Sequence, residues 1–75
     1  MECKLSELDP PAEARIVRLT VAGAMRRRLQ DLGFVPGAAV RPLYKGYRGG
    51  ICAYAVGGSV IALRCTDAAN IVVLQ

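Results

Sequence analysis

Glycine and proline break this chain at Gly33, at Pro36-Gly37 and at Gly57-Gly58, and each break forces a change of direction or of hydrophobic period. Ahead of the first break, Ala22, Met25, Leu29 and Leu32 are spaced three, four and three apart, which places them on one stripe of a short helix. Gly33 follows directly. A glycine just past the last periodic residue takes the left-handed conformation that ends a helix, and Phe34 can then pack back on the last turn. Val35-Pro36-Gly37-Ala38 has the residue order of a type II turn, with a fixed negative φ before a positive one.

Strand patterns fill the rest. "ARIVRL" (14 to 19) changes face between Ile16 and Val17, which predicts a bulge. "AAVRPLY" carries Pro42, which cannot donate to a ladder, so that strand lies at an edge or is kinked. "KGYRGG" reads as a loop, and "ICAYAV" and "SVIAL" flank Gly57-Gly58 as the arms of a hairpin. "RCTDAAN" is a short polar connection with room for one helical turn, and "IVVLQ" is a last strand. Five short strands and one inserted helix predict a mainly β fold, a small barrel formed by residues 1–75 as a single domain. The lead "MECKLSELDPP" reads as a mobile acidic end without the apolar segment of a signal peptide, and the charge-free stretch from Gly49 to Leu63 is too short to span a bilayer.

Hydrophobic residues make up 53% of the 75, but Trp is absent and aromatics are only 5%, so the expected core is aliphatic. A domain this small leaves apolar surface exposed, and such a patch points to a partner. The net charge of +4 favours an acidic partner or nucleic acid and equally serves solubility.

Catalysis is not expected. The chain has no His, no Ser, Cys or Lys in a nucleophile setting, and most of its carboxylates (Glu2, Glu7, Asp9, Glu13) in the lead, with Asp31 and Asp67 elsewhere. Cys3, Cys52 and Cys65 are odd in number and dispersed, which reads as three reduced thiols with Cys52 a small buried hydrophobe. No metal site and no cofactor are expected from so scattered a donor set.

Arg26, Arg27 and Arg28 occupy the helix. With Met25, Leu29 and Leu32 facing inward, Arg27 points nearly opposite the core and its neighbours flank the stripe. The glycines stand at the helix end, unlike those of a phosphate-binding loop, so the three read as a solvated basic face or a contact for an acidic protein. Tyr54 alternates with apolar residues and is expected half-buried, whereas Tyr44 and Tyr47 flank or occupy the loop.

"RRRLQDLGFVPGAAV" followed by "GGSVIALRCTDAANIVV" resembles the FeoA family, the small accessory proteins of bacterial ferrous iron transport. Leu32, Gly33, Phe34, Pro36, Gly37, Gly58, Leu63, Arg64, Ala68 and Ile71 match the family pattern in order, and "KLSEL" fits its usual opening. The resemblance implies an SH3-like barrel related to the C-terminal domain of metal-dependent repressors of the diphtheria-toxin type. It also implies a cytoplasmic, non-enzymatic module that docks on the cytosolic GTPase part of the transporter FeoB, meets the membrane only through it, and modulates uptake or the GTPase cycle. Arg26, Arg27, Arg28, Phe34 and Tyr47 are the candidate partner contacts, and weak self-association is compatible with this reading. The alternatives are a nucleic-acid-binding barrel using Arg26, Arg27, Arg28, Arg41 and Arg48 as a track, and a metal-responsive regulator.

Overall fold

The structure is a computed structural model that describes residues 1–47 and 50–75. Its strands are β1 (Glu2–Lys4), β2 (Ala14–Leu19), β3 (Ala39–Lys45), β4 (Ile51–Val56), β5 (Ser59–Arg64) and β6 (Ile71–Leu74). The helix α1 (Gly23–Asp31) is inserted between β2 and β3, and one turn, α2 (Cys65–Ala68), joins β5 to β6. All strand pairs are antiparallel, in one sheet of order β1-β6-β2-β3-β4-β5. None of the described helices is long and apolar enough to cross a membrane.

The expected five strands are six among the described residues. The lead segment is not a mobile end: β1 pairs with β6 in the register Glu2 to Leu74 through Lys4 to Val72. A 3-10 turn over Leu5–Glu7 follows, closed by a hydrogen bond that the Lys4 amide donates to Glu7 Oε1 at 2.9 Å. It drives Leu5 and Leu8 into the core. Three residues of strand carrying Glu2 and Lys4 have too little alternation to be seen in the sequence, and the partner strand lies at the far end of the chain.

The helix and turns form where the sequence places them. Gly33 donates its amide to Gln30 O at 3.0 Å and Phe34 donates to Leu29 O at 3.0 Å, the paired bonds of a Schellman cap. Leu29 and Phe34 are both fully buried, so the apolar contact that accompanies this cap is anchored in the core. The Ala38 amide bonds Val35 O at 3.1 Å across the Pro36-Gly37 turn, where Gly37 has φ of +89°. Gly57 and Gly58, at +56° and +80°, turn the hairpin between Val56 and its partner Ser59.

Both predicted irregularities are present. The ladder between β2 and β6 slips between Ile16 and Arg18, so Val17 is the extra residue and Leu19 is returned to the inner face. The ladder between β3 and β4 slips between Pro42 and Tyr44, and β2 pairs with β3 only through Ala39 and Val40. Pro42 therefore sits where no strand on the β2 side needs its missing donor.

Two expectations about the core are corrected. Its largest fully buried side chains are Tyr54 and Phe34, so two aromatics lie among the aliphatic residues, and Tyr54 is wholly buried, not half-buried. Cys52 and Cys65 are joined in a disulfide with their Cα atoms 5.9 Å apart, leaving Cys3 as the free thiol. The hairpin register explains the approach: Cys52 lies opposite Leu63, and α2 turns Cys65 back over it. The connection is thus not polar throughout, since Cys65 and Ala68 face the core.

Gly33 has φ of +108°, and an added Cβ would meet Val56 Cγ2 at 3.9 Å, an ordinary contact. Conformation, not space, sets the cost of a side chain there. Gly33→Ala is expected to lower the unfolding free energy by about 1 kcal/mol. Coincident urea midpoints for the two proteins would show that the left-handed cap contributes nothing.

Burial pushes the Tyr54 phenol above its ordinary 10.0. The folded state then holds that proton more tightly than the unfolded chain does. This contribution is complete below pH about 10 and is lost as pH rises toward the folded value. Relative to Tyr54→Phe, the wild type is expected to lose stability in alkaline solution, followed by circular dichroism. Parallel pH profiles would contradict it.

Candidate docking surface

The cap and the turn fix how α1 is presented. Gly37 donates to Ile16 O at 2.7 Å, Ile16 donates to Ala38 O at 2.9 Å, and Arg15 Nη1 donates to Gly37 O at 3.0 Å. The joint after the helix is thereby stitched to β2 next to its bulge. The helix itself is shallow: Leu29 is buried, Met25 and Leu32 are half-buried, and Ala22 is exposed.

Arg26, Arg27 and Arg28 are exposed along this shallow helix, as its periodicity requires. Arg26 Nη1 reaches back to Leu19 O at 3.5 Å, a long bond at the helix base. No carboxylate pairs with any of the three among the described residues, where the ion pairs are Arg18 with Glu2 and Lys45 with Asp9. Arg28 lies in the last turn, where a cation complements the partial negative charge of the helix end.

The three arginines do not act as one group. Arg28 lines a groove of about 440 Å³ with Met25 from α1, Ile51 from β4, Ala62, Leu63 and Arg64 from β5, and Asp67 from α2. A second groove, of about 300 Å³, lies at the Gly57-Gly58 end of the hairpin and is lined by Glu13, Arg41, Ala55 and Val56 among others. Arg41 is thus separated from the helix cations, and Arg48 lies outside the described residues.

The remaining candidates divide by burial. Tyr47 is 83% exposed. Phe34 is fully buried and is corrected from a candidate contact to a core anchor, because the cap that exposes Gly33's backbone turns the next side chain inward. Leu63 is also buried, while Arg64, opposite Ile51, is exposed.

Exposed apolar surface was expected from the sequence, but its residues were not named. Leu43, Tyr44, Ile51 and Val60 are all exposed and all belong to β3, β4 or β5. "SVIAL" reads as a strand with no polar face, and that excess of apolar residues was the available signal. Among the described residues, no three Cys, Asp or Glu side chains are grouped to hold a metal ion.

A model of the FeoA domain matches residues 3–75. The chain belongs to the FeoA family. A crystal structure of an iron uptake regulatory protein, FeoA, superposes with a TM-score of 0.88 at 27% identity, over 97% of this chain and 96% of that one. FeoA of Stenotrophomonas maltophilia, crystallised with zinc and described as a procaryotic SH3 domain protein, superposes at 0.81 with 34% identity, over 97% and 88% of the two chains. The fold is accordingly an SH3-like one. A manganese-dependent transcriptional repressor shares it too, with a TM-score of 0.88 at 19% identity, over 99% of this chain and 41% of the repressor. No curated protein sequence matches the chain.

Because none of the three helix arginines is buried or, among the described residues, ion-paired, Arg26, Arg27 and Arg28 changed together to Gln are expected to alter stability by less than about 1 kcal/mol. Urea denaturation reads this directly. A larger loss would give the basic face a structural role.

Proposed function

We propose that this chain is a non-enzymatic accessory of bacterial ferrous iron transport, which docks from the cytoplasmic side on the cytosolic part of FeoB and modulates uptake or its GTPase cycle. The observation that carries the proposal is the FeoA-family match over residues 3–75. For the Stenotrophomonas relative, a role as a ferrous iron transport activating factor has been suggested.

The surface supports an interaction module. Arginines with no carboxylate partner among the described residues, on a helix held in a fixed orientation, can be read by an acidic partner, and Ile51, exposed and lining one groove with Arg28, supplies apolar area to bury. Tyr47, also exposed, is a further candidate contact.

Isothermal titration against FeoB's cytosolic domain and against a generic DNA duplex, each at two salt concentrations, tests the proposal. Wild type is expected to bind the FeoB domain, and the triple Gln variant to bind it more weakly by about 1 to 3 kcal/mol. The duplex is expected to show no binding. Binding to the duplex with a steep salt dependence that the triple change reduces would replace this reading with the nucleic-acid one.

A further inference from the structure

The two ends of the sheet are unlike. At one end, β1 is three residues long, carries Glu2 and Lys4, and has Glu2 tied to Arg18 at 2.9 Å. Short, charged edges of this kind resist further pairing. At the other end, β5 runs six residues in unbroken register with β4, from Ser59 opposite Val56 to Arg64 opposite Ile51. It contains no Pro, no bulge and no Lys. Among the described residues, no backbone hydrogen bond outside the strand ladders involves β5. Its free edge is a template for one more strand.

The groove of about 440 Å³ between α1 and the β4–β5 hairpin takes Ala62, Leu63 and Arg64 of β5 into its lining. Its apolar lining is Met25, Ile51, Ala62 and Leu63, and its cations are Arg28 and Arg64, neither with a carboxylate partner among the described residues. Asp67 also lines it, so the groove keeps a positive excess of one charge per chain.

We propose that β5 is a strand-addition site, which takes an extended segment of a partner protein that pairs with its free edge and places a Glu or Asp between Arg28 and Arg64. Backbone pairing supplies affinity in this mode, and side chains at alternate positions supply specificity. Charge selects the occupant. β5 itself carries no Asp or Glu, so a second copy paired through it would bring no carboxylate from that strand, whereas an acidic strand neutralises Arg28 and Arg64. Nucleic acid offers no backbone donors and acceptors at strand spacing. The site does not depend on which protein supplies the segment; that FeoB supplies it rests on the function proposed above.

The probe is a short, fluorescein-labelled peptide alternating Val with Glu, titrated into the full chain by fluorescence anisotropy and mapped by amide chemical shifts. Binding is expected to perturb β5 and the last turn of α1. It is expected to fall at least tenfold when alternate peptide amides on the pairing edge are N-methylated, a change that leaves the protein untouched. Arg64→Glu and Arg28→Glu are each expected to weaken binding by about tenfold, and a peptide with Lys in place of Glu to restore part of the loss. Absence of binding, indifference to N-methylation, shifts confined to other strands, or a concentration-dependent dimer paired through β5 would each overturn the proposal. FeoB's cytosolic domain is then added as competitor. Displacement of the probe joins the two proposals. A domain that binds without displacing a β5-bound probe leaves strand addition standing and assigns FeoB another surface.

Discussion

The rest of this structure depends on the joint between α1 and β3. The Schellman cap turns Phe34 into the core immediately after the helix, and within four residues the Pro36-Gly37 turn is bonded to Ile16 on β2. The two fixations act on one short segment, so the helix has little freedom to pivot. This matters because α1 contributes only Leu29 as a buried side chain. A helix so shallow draws its orientation from its C-terminal joint as much as from its own packing.

That arrangement separates stability from recognition. Core residues come from the inner faces of the strands, from the lead segment, from α2 and from Leu29 and Phe34, while the arginines of α1 face outward with no carboxylate partner among the described residues. Exposed ion pairs such as Lys45 with Asp9, at 3.0 Å, contribute little to stability. The positive surface is therefore available for interaction with small consequence for the fold. The closed and open ends of the sheet divide in the same way: β1, β6 and β2 are knit around Ile71, Val72 and Val73, and the β4–β5 hairpin ends in an uncovered strand.

FeoA-family membership and the shared SH3-like fold agree with this division. The same backbone occurs in a repressor at 19% identity, so the architecture tolerates wide changes of surface. What distinguishes one such domain from another has to lie in its exposed residues.

Local constraints were legible in the sequence because they are paid within a few residues. A left-handed backbone at Gly33, a turn at Pro36-Gly37, a hairpin at Gly57-Gly58 and the extra residue at Val17 each follow from sterics or alternation over a short window. The outward direction of Arg26, Arg27 and Arg28 follows equally from the helical period. Long-range pairing was not legible. The strand of Glu2–Lys4 exists because β6 offers it an edge, the Cys52–Cys65 bond because hairpin register and α2 bring two distant residues together, and the groove because Arg28 and Arg64 come from elements that the sequence does not connect. By itself the sequence determined the local conformations, whose energies depend on neighbouring residues. Only the tertiary structure decided which edges are covered and which charges converge, because those depend on contacts whose partners are chosen by the packing of the whole chain.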